Sequence, residues 1–342
     1  MNQEEKFNLI TRNTQEVVGE DVLKKIIKQR DLKVYLGTEI SGRPHVAYFV
    51  PAMKMKDFLN AGCKVTMLLA DLHAMLNDLK STYEQLDHRF QYYEIVIKAL
   101  LESAGADTSK LKFVKGSDFQ LKKDYTLDMY KLAAMSSLHD LNKAASEVVR
   151  QSDNQKIGGL IYPIMQALDE EYLDVDAQYG GVDQRKILMY AREALPKLKY
   201  KPRIEIMTPM IPGLQGGKMS SSDKSSKIDL LDDEKTIAKK LNKSYCEEGV
   251  IEDNGILAFV KHVLFVLKQD KDEEFVIKRP EKWGGNLTYK NYEDLEKDFA
   301  EKQLHPMDLK QALAKEINKM VAPIREAMKG KESLIKKAYP EE

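Results

Sequence analysis

VYLGTEISGRPHVAYFVPAMK, residues 34–54, reads as a strand, a glycine-containing turn and then the first residues of a helix, with His45 at the helix entrance. A strand that feeds a helix through a short turn is the repeating unit of a parallel α/β sheet, and ligands of such sheets bind beyond the carboxyl ends of the strands. The positive end of a helix beside a histidine suits the phosphates of a nucleotide. The familiar glycine-rich phosphate motifs GxGxxG and GxxxxGK[ST] are both absent. Taken alone, the turn fits a structural histidine as well as a functional one.

Working outward, the first two thirds of the chain alternate short apolar runs with longer segments of helical period, which predicts an α/β domain on a parallel sheet. Strands are expected at Lys33–Gly37, Lys64–Asp71, Lys112–Gly116, Asp174–Gln178 and Arg203–Met207. The segment Glu84–Ala104 places Leu86, Phe90, Tyr93, Ile97, Leu100 and Leu101 on one helical face and is followed by Gly105, as expected of a core-facing crossover helix. After about residue 228 the pattern turns helical, at Asp233–Lys243, Ile256–Lys268, Tyr292–Ala300 and Pro306–Met328, interrupted by the turn-rich RPEKWGGNLT. Two domains are therefore expected, 1–228 and 229–342.

Length and charge set the outer bounds. With 342 residues, 43% hydrophobic, the chain can bury a full core. Its 54 basic and 54 acidic residues cancel, which argues against gripping nucleic acid by bulk charge; any RNA site must be local. Between 196 and 243 eleven Lys/Arg stand against six Asp/Glu, a local excess for which a solvated charged face is the commoner explanation. Cys63 and Cys246 stand far apart, without a Cys-x-x-Cys or a Cys/His cluster, so neither a disulfide framework nor a protein-held metal is expected. The N-terminus MNQEEKFNLI has no apolar or Arg-rich targeting pattern and no run is long enough to span a bilayer, which places the chain in the cytoplasm with no membrane partner.

A second chemical signal is GGKMSSS at 216–222. A loop with one lysine and several hydroxyls can stabilise charge as it moves onto pyrophosphate, although a flexible polar loop has the same composition. The pairing of this segment with the His45 turn resembles the class I aminoacyl-tRNA synthetases, whose signatures are a His-x-Gly-His turn and a Lys-Met-Ser-Lys-Ser loop. Here they stand as His45-Val46-Ala47-Tyr48 and Lys218-Met219-Ser220-Ser221-Ser222, a variant similar to the tyrosine-specific branch in its archaeal and eukaryotic form. The likeness continues through ADLHAML, KDYTLDMYKLA, LIYPIMQALDEEYL, YGGVDQRK and LHPMDLK.

The resemblance implies a Rossmann-like catalytic domain followed by a helical anticodon-binding domain, and a role for each matching residue. Tyr35 and Asp169 would meet the phenolic hydroxyl of tyrosine, Tyr162 and Gln166 the α-amino group, and Gln184 the amino acid more generally. Gly37, Gly180 and Gly181 would let backbone approach the adenylate, and Asp183 would hold the ATP ribose. His45, Tyr48, Lys218 and Met219 would line the ATP side, His45 and Lys218 facing the phosphates, with Ser220, Ser221 and Ser222 shaping the loop. Trp283 and Asp308 would read the anticodon, whereas sequence alone leaves them as a core plug and a helix cap. ATP with Mg2+, L-tyrosine, tyrosine tRNA and a second copy of the chain are the implied partners. Residue physics gives partial support: if Pro163 opens a helix, Tyr162, Gln166 and Asp169 fall on one face, and Ile161, Met165, Leu168 and Tyr172 form the stripe that anchors it. His73 fits a core histidine or a pocket wall. The rivals are a tryptophan-specific synthetase, whose substrate offers a donor and no acceptor, a small nucleotidyltransferase, and a silent synthetase-like RNA binder.

Overall fold

Six short runs form one sheet in the computed structural model, which describes residues 1–78, 81–149, 156–214 and 227–340. The strands are β1 (Glu16–Val18), β2 (Lys33–Glu39), β3 (Lys64–Ala70), β4 (Leu111–Lys115), β5 (Ala177–Gly181) and β6 (Ile204–Thr208), in the spatial order 1-6-5-2-3-4. All neighbours run parallel except β1, which lies antiparallel on β6. This is a Rossmann-like α/β sheet. Alternation along β2 sends Val34 and Leu36 to one core and Tyr35 to the other, so both faces are covered.

The chain winds outward from β2 to β3 and β4, then returns to the other side of β2 as β5, which puts the topological switch between β2 and β5. The pairing there is short. β2 follows β3 from Lys33↔Lys64 to Glu39↔Ala70, but meets β5 only at Val34↔Ala177 and Tyr35↔Gln178. Beyond Tyr35 the two strands part and leave a crevice at their carboxyl ends.

The crossover helix Tyr83–Ser103 is fixed at its start by a capping box, in which Thr82 accepts from the Gln85 backbone and the Gln85 side chain returns the bond. It buries the predicted stripe, with Phe90 only partly covered. The helix that carries Tyr162, Gln166 and Asp169 spans Ile157–Tyr172, so Pro163 lies inside it and does not open it. That is a correction to the sequence expectation. The proline forfeits one bond, to the carbonyl of Gly159 four residues back, and the buried apolar stripe outweighs the loss. The fifth strand also starts later than expected, at Ala177, because Asp174 turns the chain with φ of 51°.

The C-terminal part contains helices Glu234–Lys243, Tyr292–Ala300, Pro306–Met328 and Glu332–Ala338, a small hairpin of β7 (Phe275–Ile277) and β8 (Leu287–Tyr289), and a longer helix over 255–270. The last reads Gly255–Phe259, a π turn at Val260–Leu264, then Phe265–Asp270. Its apolar residues share one continuous core with the sheet part. Charges complete the junction: Arg12 joins Asp57 and Asp270, the latter at 2.9 Å, and Lys56 meets Asp270 at 3.0 Å. None of the described helices is long and apolar enough to cross a membrane.

Candidate active site

Two adjoining cavities occupy the crevice. One, of about 240 Å³, is lined by Tyr35, His73, Tyr162, Gln166, Asp169 and Gln178 among others; the second, of about 280 Å³, by His45, Gly180, Gly181, Asp183 and the segment Thr208–Ile211. Gly37, Thr38, Tyr48 and Gln184 belong to both and form the passage between them. Every described residue expected at the amino acid lies in the first cavity, and every one expected at ATP in the second. Lys218, Met219, Ser220, Ser221 and Ser222 lie outside the described residues.

The first cavity ends at Asp169. The helix Ile157–Tyr172 brings Asp169 to the cavity, where it is 1% exposed. Its Oδ1 accepts from Gln120 Nε2 and from the Tyr125 hydroxyl, each at 2.8 Å, while Oδ2 has no hydrogen-bond partner. One oxygen thus anchors the carboxyl and the other keeps its hydrogen-bonding capacity unfilled. Burial raises its pKa to about 7, against the pull of the Gln120 and Tyr125 bonds. His73 Nε2 stands 3.7 Å from Oδ2, too far for a hydrogen bond, and burial holds its pKa near 4, so at neutral pH it is an uncharged wall. Its ring meets the edge of Tyr162 with centroids 4.6 Å apart. Tyr35 is held protonated by burial and by nearby carboxylates, and its hydroxyl donates to Gln166 O at a long 3.3 Å. A phenol placed here can accept from Tyr35 and donate to Asp169.

At the passage, Gln166 Nε2 donates to Gln184 Oε1 at 2.9 Å, and the Tyr162 hydroxyl bonds Glu39, which also accepts from Asn77 at 2.8 Å. A Cβ on Gly37 would make only ordinary contact, 3.8 Å from Tyr35, so the fold does not need a glycine there. What glycine gains is room on the cavity side.

The turn that follows β2 is gripped from several directions. Val46 N donates to Ile228 O at 2.9 Å, Arg43 pairs with Asp229 at 2.9 Å, and Gly42 O accepts from the hydroxyls of Tyr93 and Tyr339, the latter at 3.2 Å. His45 precedes the short turn Val46–Tyr48, making no capping bond with its side chain, and the turn runs into the helix Phe49–Asn60. Burial, with the nearby Lys227, lowers the His45 pKa to about 4, so it works as a neutral imidazole; its Nδ1 has no partner. Tyr48, in the place of the family's second histidine, sets its hydroxyl 3.3 Å from Thr38 Oγ1 and 3.4 Å from the Tyr93 hydroxyl. It is part of the passage wall.

Sequence reasoning missed Gln178, Glu39, Gln120 and Tyr125. Gln178 is 1% exposed on a central strand with an unpartnered Oε1 facing the first cavity. A polar residue two positions before Gly180 on an apolar strand was the available signal. Among the described residues no group of three or more His, Cys, Asp or Glu side chains is arranged to hold a metal.

The elements expected at an anticodon are adjacent. Trp283 is 65% exposed in the turn Glu281–Trp283, which rules out the core-plug role. Arg279 ties this turn to the start of the helix Pro306–Met328 by donating to Gly285 O and Gln303 O, both at 2.9 Å. The cap of that helix is His305, whose Nδ1 accepts from Met307 N at 3.2 Å; Asp308 lies in the first turn.

Because Asp169 sits near neutrality, kcat/KM for the ligand that donates to it should fall about tenfold between pH 8 and pH 6, as protonation removes the acceptor. A pH-independent value across that range would take Asp169 out of recognition.

The family model for class I tRNA synthetases (W and Y) matches residues 27–322. The chain is 57% identical over 339 residues to the tyrosine–tRNA ligase, cytoplasmic, of Gallus gallus, covering 98% of this chain and 64% of that protein. It therefore spans less than two thirds of that relative's length. It is 47% identical to the probable tyrosine–tRNA ligase, cytoplasmic, of Encephalitozoon cuniculi, covering 99% of this chain and 100% of the relative. Among solved structures it is similar to the tyrosyl-tRNA synthetase of Archaeoglobus fulgidus complexed with L-tyrosine, with a TM-score of 0.87, 39% identity, and coverage of 96% of this chain and 100% of that one.

Proposed function

We infer what the chain does from one premise: it belongs to the class I tRNA synthetases, in the tyrosine–tRNA ligase branch. It activates L-tyrosine with ATP and esterifies it to tyrosine tRNA in the cytoplasm. The observation that carries this reading is the pair of joined cavities, one of which ends on a buried carboxylate oxygen with no partner. An indole has no acceptor for Tyr35 and a phenylalanine ring has neither acceptor nor donor, so the pair Tyr35 and Asp169 favours a phenol.

Tyrosine lies with its hydroxyl between Tyr35 and Asp169 and its α-amino group toward Tyr162 and Gln166, with Gln184 at the passage. ATP occupies the second cavity, its ribose toward Asp183 and its backbone contacts made at Gly37, Gly180 and Gly181. The tyrosine carboxylate attacks the α-phosphate and pyrophosphate leaves. A ribose hydroxyl of the terminal adenosine then takes the acyl group and AMP leaves. No protein nucleophile is needed. The chain supplies alignment and charge stabilisation, with neutral His45 donating to phosphate oxygen, Lys218 neutralising it and Ser220 to Ser222 shaping the segment. Magnesium arrives on the triphosphate.

Residues 1–228 form the catalytic domain in this reading and 229–342 the anticodon-binding domain. A homodimer is supported by exposed Leu121, Leu127, Tyr130, Met135, Leu138 and Ile157, all on or beside the helices over 123–172. Pyrophosphate exchange with ATP and each of the twenty amino acids tests the activity, and tyrosine alone should support it. Exchange with tryptophan in preference would select the rival. Trp283→Ala should weaken charging through lost base stacking worth about 1–3 kcal/mol, while exchange without tRNA is unchanged. Asp308→Ala should relax discrimination at the first anticodon base; charging of anticodon-altered tRNA at the parent's rate by both variants would remove the assignment.

A further inference from the structure

One helix of the C-terminal part touches both walls of the cavity assigned to ATP. It begins at Gly255, where the buried Asn254 accepts from Ile256 N and Leu257 N at 3.2 Å each and donates to Val250 O at 3.0 Å. A Cβ built on Gly255 would stand 2.0 Å from Gly213 O, 2.6 Å from Gly213 C and 3.0 Å from Leu214 N. The helix backbone therefore rests directly on the backbone of the segment 208–214. Further along, His262 in the π turn Val260–Leu264 shares a small cavity with Thr208, Pro209 and Ile211 of the same segment. At the far end Asp270 joins Lys56 and, through Arg12, Asp57. Lys56 and Asp57 lie on the helix Phe49–Asn60, which forms the opposite wall through Val50, Pro51, Ala52 and Met55.

Thr208 to Ile211 line the second cavity and do not line the first. The span 255–270 thus rests on one wall at Gly255, places His262 in a small cavity between Thr208, Pro209 and Ile211 on one side and Val50, Met53, Lys54 and Asp57 of the helix Phe49–Asn60 on the other, and is fastened to that helix through Asp270. π turns interrupt regular hydrogen bonding and recur where a helix serves a site.

We propose that Gly255 and His262 are positioning residues that set how far the segment 208–214 stands from the helix Phe49–Asn60, and so the width of the nucleotide cavity. The proposal rests on the reading of that cavity as the ATP site. Contacts of a Cβ below 3.0 Å are essentially never seen, so a methyl group on Gly255 must push the segment back by about 1 Å from its 2.0 Å position. A misplacement of that size costs up to about 100-fold in a reaction that depends on alignment. The effect falls on one substrate, because the tyrosine cavity has no lining from this segment.

The test compares Gly255→Ala and His262→Ala with the parent in tyrosine-dependent pyrophosphate exchange, in melting temperature, and in calorimetry with ATP alone and tyrosine alone. Gly255→Ala should raise KM and Kd for ATP by about tenfold or more and leave both constants for tyrosine within about twofold. His262→Ala adds no bulk; it empties the cavity between Thr208, Pro209 and Ile211 and the helix Phe49–Asn60, and by freeing the spacing of the two walls it should raise the ATP constants by about fivefold, again leaving tyrosine alone. Folded variants with the parent's ATP constants overturn the proposal, as does an equal rise for both substrates, which is general loosening. If Gly255→Ala does not fold, His262→Ala decides by the same criteria. A parent that exchanges no pyrophosphate with tyrosine sinks the functional reading, and calorimetry with ATP alone still judges the positioning role.

Discussion

Asp169→Ala should lower kcat/KM for tyrosine by about 2–5 kcal/mol, roughly 30- to 5,000-fold, the range for deleting one partner of a buried charged hydrogen bond. The substitution removes the acceptor for the phenolic proton, and it also strips Gln120 and the Tyr125 hydroxyl of their shared partner. Stability falls with it, so the informative companion is Asp169→Asn. Asparagine keeps an oxygen for Gln120 and Tyr125 but turns an amide donor toward a phenol already facing the Tyr35 donor. Its melting temperature should stay near the parent's while activation of tyrosine is lost. The parent should reject phenylalanine for the complementary reason, since that ring leaves Asp169 Oδ2 with no partner, at about 1–3 kcal/mol or more for a charged group. Equal exchange rates with phenylalanine and tyrosine would falsify the assignment of the first cavity.

His45→Ala should slow adenylate formation by about 100- to 1,000-fold, or roughly 2.7–4 kcal/mol, with the dissociation constant for tyrosine unchanged. The imidazole lines the second cavity alone, and a donor aimed at developing charge acts mainly in the transition state. With its pKa near 4 it donates as a neutral ring, so its contribution should not decline as pH rises from 6 to about 8. His45→Asn, which keeps a donor, should recover part of the rate. Single-turnover kinetics at the parent's rate for the alanine variant would leave His45 as a buried structural residue.

How much of this was legible in the sequence depended on distance along the chain. The β2 turn and His45 were readable because strand, turn and helix are contiguous. Tyr162, Gln166 and Asp169 were placed on one face correctly although the helix starts six residues before Pro163, because spacings of four and three hold wherever a helix begins. The proline misled because its preference for a helix start is statistical, while interior burial can override it. Glu39 and Gln178 entered the site only through the sheet, and Gln120 and Tyr125 through packing on Asp169. Periodicity carries no information about such partners. The exposure of Trp283 was equally invisible, since a lone tryptophan beside two glycines reads the same inside and outside.

The parting of β2 from β5 after Tyr35 also decides which half of the site can drift under mutation. The first cavity, proposed for the amino acid, is lined by side chains: Tyr35, Gln166, Asp169 and Gln178 can each be exchanged, and with them the chemistry the cavity accepts. On the nucleotide side Gly37, Gly180 and Gly181 present main chain at strand ends that no longer pair across the gap, and a codon change cannot delete a peptide group. On the proposed assignment of the two cavities, amino-acid preference should yield to mutation more readily than nucleotide choice. A competitor that presses on the backbone at the strand ends should meet resistant variants far less readily than one that reads the Asp169 end.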